Sequence, residues 1–223
     1  MEQDTKRRHF LKYLGASSLV LSTVGHSTQT QEEEKPKKPH YGMIFDQNKC
    51  VGCTECEVAC KKTNAVPKKQ ARLYVENKTD PNTPLEKRYT RVSCQQCVDA
   101  PCVNVCPTNA CYRDEKTGIV TMNTNDCIAC KYCIVACPYD VRFINHETKS
   151  AENCNFCFNT NFAKNEEPAC VQACKYKALV FGDLNDEASY INQLLHVKDS
   201  VRMKPSFGTQ PSLRYIPIVK TGV

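Results

Sequence analysis

Cys94-Gln-Gln-Cys97-Val-Asp-Ala-Pro-Cys102-Val-Asn-Val-Cys106-Pro107 and, about twenty residues on, Cys127-Ile-Ala-Cys130-Lys-Tyr-Cys133-Ile-Val-Ala-Cys137-Pro138 decide how this chain is read. Each run is a cysteine quartet closed by Cys-Pro. Three thiolates at short spacing can wrap three irons of one 4Fe–4S cubane, and so tight a loop cannot reach the fourth iron. The fourth cysteine lies a helical turn further on, points away and ligates a neighbouring cluster. Each three-residue gap before it is therefore expected to form a turn of helix.

Two further quartets flank this stretch. Cys50-Val-Gly-Cys53-Thr-Glu-Cys56-Glu-Val-Ala-Cys60 repeats the Cys127 spacing, and Cys154-Asn-Phe-Cys157 is completed after a longer gap by Cys170-Val-Gln-Ala-Cys174. Disulfides are poorly served by Cys-x-x-Cys pairs in four quartets. Zinc uses two such pairs per site and has no need of the third and fourth cysteines at this spacing. Attachment of c-type haem requires Cys-x-x-Cys-His, which the chain lacks. Sixteen of the 17 cysteines thus read as ligands of four 4Fe–4S clusters, the pattern of two-cluster bacterial ferredoxins doubled. The odd thiol, Cys111, reads as a small residue buried beside a cluster and not as a ligand. Spacing leaves the pairing of quartets open, since sequential and nested arrangements both satisfy it.

At 223 residues with no Trp and 8% aromatic residues, the chain has little with which to build a large apolar core, so cofactors must replace part of it. Its formal charge of +6 omits cofactors. Four oxidised cubanes bound through thiolates add about −2 each and bring the loaded protein near −2. The basic balance therefore compensates cluster charge, and nucleic-acid binding is not expected. Lys6-Arg7-Arg8-His9-Phe10-Leu11-Lys12 and the modest apolar run to Val24 make residues 1–25 resemble a twin-arginine signal, the address of proteins exported already folded. Export to the periplasm is the expectation. The apolar run is too short and polar for a spanning helix. Residues 26–40 read as a polar linker.

The cluster domain is expected over 41–182. Within it, Arg72–Glu76 and Tyr89–Ser93 alternate as strands of a hairpin insertion over about 66–93. Asp114-Glu-Lys-Thr117 is a hairpin turn after the Cys94 quartet, and Val141–Ile144 repeats that plan after the Cys127 quartet. Pro101-Cys-Val-Asn-Val-Cys106 parallels Pro168-Ala-Cys-Val-Gln-Ala-Cys174, with Ala110 and Ala178 four residues beyond. These repeats predict an α+β fold, a duplicated ferredoxin-type domain with small hairpins. In the tail, 183–223, Glu187–Val197 is expected as a helix with Ile191, Leu194 and Leu195 inward, and Gly208–Pro217 as an extended strap. No catalytic constellation is visible. His146 and His196 read as surface residues, and Tyr132 and Phe156 as shields of clusters from water.

Phe181-Gly-Asp-Leu-Asn-Asp186 and Gly208-Thr-Gln-Pro211 extend the likeness beyond the ligands. On these segments and the quartets, the chain resembles the four-cluster ferredoxin subunits of quinone-linked and molybdopterin oxidoreductases over roughly residues 41–217. The twin-arginine start and the length draw it towards members serving formate-dependent nitrite reduction. The resemblance implies nested halves. Cys50, Cys53, Cys56 and Cys174 would hold one cluster, and Cys154, Cys157, Cys170 and Cys60 a second. Cys94, Cys97, Cys102 and Cys137 would hold a third, and Cys127, Cys130, Cys133 and Cys106 a fourth. It also implies a non-catalytic electron carrier between a quinol-oxidising integral membrane subunit and a periplasmic multihaem c-type cytochrome. The alternative partner is a molybdopterin catalytic subunit acting on dimethyl sulfoxide, polysulfide or thiosulfate. A zinc-scaffolded structural module is the alternative of a different class. Lys61 and Lys175 follow Cys60 and Cys174 where the inner quartets have Pro. The expectation is that the outer pair lacks the rigid exit turn and that these cations raise its potentials.

Overall fold

The computed structural model describes residues 37–79, 81–82 and 87–219. The expected signal, and the linker as far as residue 36, lie outside the described residues. The first strand, β1 (Tyr41–Asp46), is apolar on both faces because each face meets a different core. Met43 and Phe45 pack into a cysteine-rich core, while Ile44, on the opposite side of the pleat, packs with Ile191 and Ile216.

Short helices and hairpins follow in alternation. The helix α1 (Glu55–Thr63) carries Cys56 and Cys60. The strands β2 (Leu73–Asn77) and β3 (Tyr89–Ser93) pair antiparallel, Leu73 opposite Ser93. The helix α2 (Pro101–Asn104) starts on a proline, whose missing N–H costs nothing at that position. It is followed by the hairpin of β4 (Cys111–Arg113) and β5 (Val120–Met122). The Asp114 carboxylate closes that hairpin by accepting from the Thr117 backbone N–H at 2.8 Å and hydroxyl at 2.6 Å. The helix α3 (Tyr132–Val135) leads to the hairpin of β6 (Phe143–Ile144) and β7 (Ala151–Glu152). There Asn145 plays the part of Asp114, its amide oxygen accepting from Glu147 N–H at 2.7 Å and Thr148 N–H at 3.2 Å.

After the helix α4 (Ala169–Gln172) the chain returns to β1. The strand β8 (Leu179–Asp183) pairs antiparallel with β1, Phe45 opposite Leu179. The helix α5 (Tyr190–Val197) begins three residues later than the sequence suggests, because Ser189 caps it by accepting from Asn192 N–H at 3.3 Å. Ile191 is buried, with Leu194 and Leu195 packed beside it. Residues 209–212 then hydrogen-bond along the Cys94 loop: Val98 N–H donates to Gln210 O at 3.1 Å, and Ser212 N–H to Gln95 O at 3.0 Å. The last strand, β9 (Leu213–Ile216), lies parallel to β1 on the side opposite β8, giving the order β8-β1-β9. At Gly42 a Cβ would come within 2.7 Å of Ser212 O, so only glycine allows that approach. Among the described residues no helix is long and apolar enough to cross a membrane.

Candidate metal centre

Sixteen cysteines converge in four groups. One cavity is lined by Cys50, Cys53, Cys56 and Cys174 (the Cys50 set). A second is lined by Cys94, Cys97, Cys102 and Cys137 (the Cys94 set). A third is lined by Cys106, Cys127, Cys130 and Cys133 (the Cys127 set). Cys60 is in electrostatic contact with Cys154, Cys170 and Cys157, which makes the Cys154 set. Arg91 and Asn64 tie that set together. The Arg91 guanidinium donates to Cys170 and Cys154 sulfurs at 3.6 Å each, and Asn64 Nδ2 donates to Cys157 sulfur at 3.4 Å. All 17 cysteines are free of disulfides.

The backbone repeats one device at each first Cys-x-x-Cys. The residue before its second cysteine is left-handed in all four cases: Gly52 (φ 72°), Gln96 (φ 50°), Ala129 (φ 54°) and Phe156 (φ 53°). Three of these are not glycine, and such a conformation persists only where the surroundings enforce it. Its effect is to turn backbone N–H groups inward, as in the anion-binding concavities of Fe–S sites. The N–H groups of Gly52 and Gln96 act on the Cys50 and Cys94 thiols in the sense that favours the thiolate. More distant N–H groups join them: Cys111 to Cys106 sulfur at 3.3 Å, Ala151 to Cys127 at 3.4 Å and Ala178 to Cys174 at 3.3 Å.

The exit turns correct the expectation drawn from Lys61 and Lys175. Asn109, Asp140 and Lys177 each lie three residues beyond a fourth cysteine. Each is left-handed, and each returns its N–H to that cysteine's carbonyl at 3.3, 3.3 and 3.0 Å. Cys174 therefore has the same exit turn as Cys106 and Cys137 although Lys175 replaces proline. The turn depends on the left-handed third residue. Cys60 is the exception, because α1 continues past it to Thr63. Lys175 points to the surface and pairs with Glu55 at 3.1 Å, which offsets its charge.

Burial pushes the thiols up: Cys56 to about 12, Cys97 and Cys170 to about 11, and Cys60 and Cys94 upward as well. Such thiols are neutral near pH 7 and are not nucleophiles without a metal to displace the proton. Cys102 departs from this pattern. The Cys111 thiol beside it holds it below the usual range, while Cys111 itself is driven up. Cys111 is 1% exposed, lines no cysteine cavity described above and touches two sets, through its thiol to Cys102 and its N–H to Cys106.

Two arginines escaped sequence reading because their burial depends on tertiary structure. Arg91 is fully buried in β3, and Arg142 is 5% exposed just before β6. Among the described residues no oxygen or nitrogen partners the three Arg142 guanidinium nitrogens, and the neutral Cys133 thiol is the group they meet. A buried guanidinium without a counter-anion is strongly disfavoured. The grouped sulfurs, the inward N–H groups and a buried cation without a counter-anion together fit anionic iron–sulfur cubanes. Phe156 is buried, whereas Tyr132, the first residue of α3, is 60% exposed beside Cys133. His146 and His196 are exposed.

The sets also fall in an order. The helix α1 carries Cys56 of the Cys50 set and Cys60 of the Cys154 set, Asn153 beside Cys154 donates to the Cys94 sulfur at 3.6 Å, and Cys102 of the Cys94 set lies on α2 just ahead of Cys106 of the Cys127 set. Cys53 and Cys130, one in each terminal set, are the exposed cysteines. Exposed Val51 and Tyr176 line the cavity of Cys53, and Ile128, 64% exposed, lines that of Cys130.

A family model described as a 4Fe–4S dicluster domain matches residues 85–184. The chain is 44% identical over 216 residues to the NrfC homolog of Haemophilus influenzae, covering 95% of this chain and 94% of that protein. It is 44% identical over 213 residues to NrfC of Escherichia coli, covering 95% of each. It is also 46% identical over 186 residues to the polysulfide reductase B subunit of Wolinella succinogenes, covering 82% of this chain and 97% of the relative. A ferredoxin-type iron–sulfur protein related to that reductase subunit, it belongs to the NrfC family.

Proposed function

We propose that the chain is an exported electron-transfer subunit holding four 4Fe–4S clusters in a row. In this reading Cys50, Cys53, Cys56 and Cys174 hold the first, and Cys154, Cys157, Cys170 and Cys60 the second. Cys94, Cys97, Cys102 and Cys137 hold the third, and Cys127, Cys130, Cys133 and Cys106 the fourth. The two halves are a duplicated ferredoxin domain, and residues 208–217 strap it. The observation that carries the reading is the serial order of the sets, with an exposed cysteine in the first and last and, between them, cysteines that are all buried except the half-buried Cys137.

Bound clusters supply one-electron carriage, and the protein's residues supply spacing, insulation and hydrogen bonds to sulfur. Phe156 and Phe45 exclude water from the interior, while the exposed apolar side chains beside Cys53 and Cys130 are suited to excluding it when a partner docks. No substrate bond need be made or broken by this chain.

By kinship with NrfC, one partner is a quinol-oxidising integral membrane subunit and the other a periplasmic multihaem c-type cytochrome in nitrite reduction. Likeness to the polysulfide reductase B subunit over 97% of that protein supports a second reading, in which the partner is a molybdopterin catalytic subunit. The twin-arginine start supports folded export. The test is anaerobic purification of the native complex from membranes. Co-purification with a multihaem cytochrome and quinol-dependent nitrite reduction support the first reading; a molybdopterin subunit supports the second. A colourless, zinc-bearing protein refutes both.

A further inference from the structure

Arg91 and Arg142 occupy corresponding places in the chain. Each lies in the link between a regular quartet and an expanded one: Arg91 between Cys60 and Cys94, Arg142 between Cys137 and Cys154. Each reaches across to the expanded quartet that the other precedes. Arg91, just ahead of Cys94, donates to Cys154 and Cys170. Arg142, ahead of Cys154, lines the cavity of Cys94 and Cys102. Each also acts on the terminal set of the half it enters, Arg91 on Cys56 and Arg142 on Cys133. The exchange is reciprocal.

We infer that these two guanidiniums are paired positioning residues, each holding a fixed positive charge between the two clusters of one half and raising the reduction potentials of that pair. The inference rests on the four-cluster reading above. An added electron makes a cluster more negative, so a nearby permanent cation favours the reduced form. Arginine suits the role because its charge persists when buried. The two sites differ in their tethers. Arg91 is fixed by Ser93 Oγ at 2.9 Å and by two cysteine sulfurs, and its carbonyl accepts from Tyr215 OH at 2.9 Å. Arg142 has no such oxygen tether: among the described residues its N–H groups have no oxygen or nitrogen partner, and the Cys133 thiol is the group its guanidinium meets. The groups acting most strongly on it are Cys111, Cys102, Cys94 and Cys133. Surface Lys175, paired with Glu55, is a weaker candidate for tuning than either arginine.

The test is a potentiometric EPR titration of anaerobically purified wild type, Arg91→Gln, Arg142→Gln and the two Lys variants, with iron content measured first. Arg91→Gln should lower the potentials of two clusters and Arg142→Gln those of the other two, with Lys restoring part of each shift. Full iron and unchanged potentials overturn the inference while leaving the cluster reading intact; wild type without clusters overturns that reading instead. Shifts in the same clusters for both variants overturn the reciprocal assignment. Should the Gln variants fail to load, loading by the Lys variants supports a need for charge. Wild type labelled with ¹⁵N-arginine then decides independently: hyperfine coupling to reduced clusters is expected, and its absence overturns the proposal.

Discussion

Replacing Gln96 by Ala should loosen the Cys94 loop through a single orphaned donor. The Gln96 amide is 1% exposed and stands in for a strand neighbour. Its oxygen accepts from Val120 N–H at 2.6 Å, and its nitrogen donates to Val120 O at 3.0 Å and Cys154 O at 2.6 Å. Both carbonyls are also served by Asn153 Nδ2, at 3.1 and 3.0 Å. Gln96→Ala therefore strands the Val120 N–H alone, at a cost of about 2 kcal/mol. Asn153→Ala strands neither carbonyl and should cost about 1 kcal/mol. The double variant strands all three groups, so its cost should exceed the sum by about 2 kcal/mol. The assay is anaerobic loss of cluster absorbance in denaturant, read as a rate because a cofactor-bound protein does not unfold in two states. If the loop opens before iron leaves, the coupling appears as roughly thirtyfold faster bleaching than the product of the single effects. Gln96→Gly should bleach about fivefold more slowly than Gln96→Ala, because glycine takes the φ of 50° without strain. Effects of the two alanine variants that simply multiply would refute the reasoning.

Tyr215 is buried and its phenol is pushed up to about 12, with Gln95 as donor to its oxygen. A raised acid favours the protonated fold, so its contribution is complete below pH 10 and is lost between about pH 10 and 12. Bleaching should therefore accelerate over that window in wild type more than in Tyr215→Phe, and equal pH profiles would contradict the assignment. Cys111→Ser should keep full iron in iron analysis, because Cys111 lines none of the cysteine cavities, and a loss of about four irons per chain would contradict that. Leu213, fully buried in β9, should cost about 2–5 kcal/mol as Leu213→Ala, seen as a lower denaturant midpoint for bleaching.

The cysteine quartets were legible because ligand spacing is local: closely spaced thiolates and a further one a helical turn on can be read from the sequence. The hairpins at 111–122 and 143–152 were legible for the same reason, each closed by an Asx turn at Asp114 or Asn145. The meeting of Cys60 with Cys154 was open to spacing, which permits sequential or nested pairing equally. Arg91 and Arg142 look like ordinary strand-edge residues until the tertiary fold removes them from water. Proline after Cys106 and Cys137 suggested that the outer exit turns must differ. Lys177 in the left-handed region makes the same turn after Cys174 without it. The parallel pairing of β9 with β1, about 170 residues apart, carries no local signature at all.

The measurement closest to the central claim is iron and acid-labile sulfide per chain in anaerobically purified protein. The account predicts about sixteen of each with a broad brown absorption. About eight of each, or zinc in their place, would contradict it.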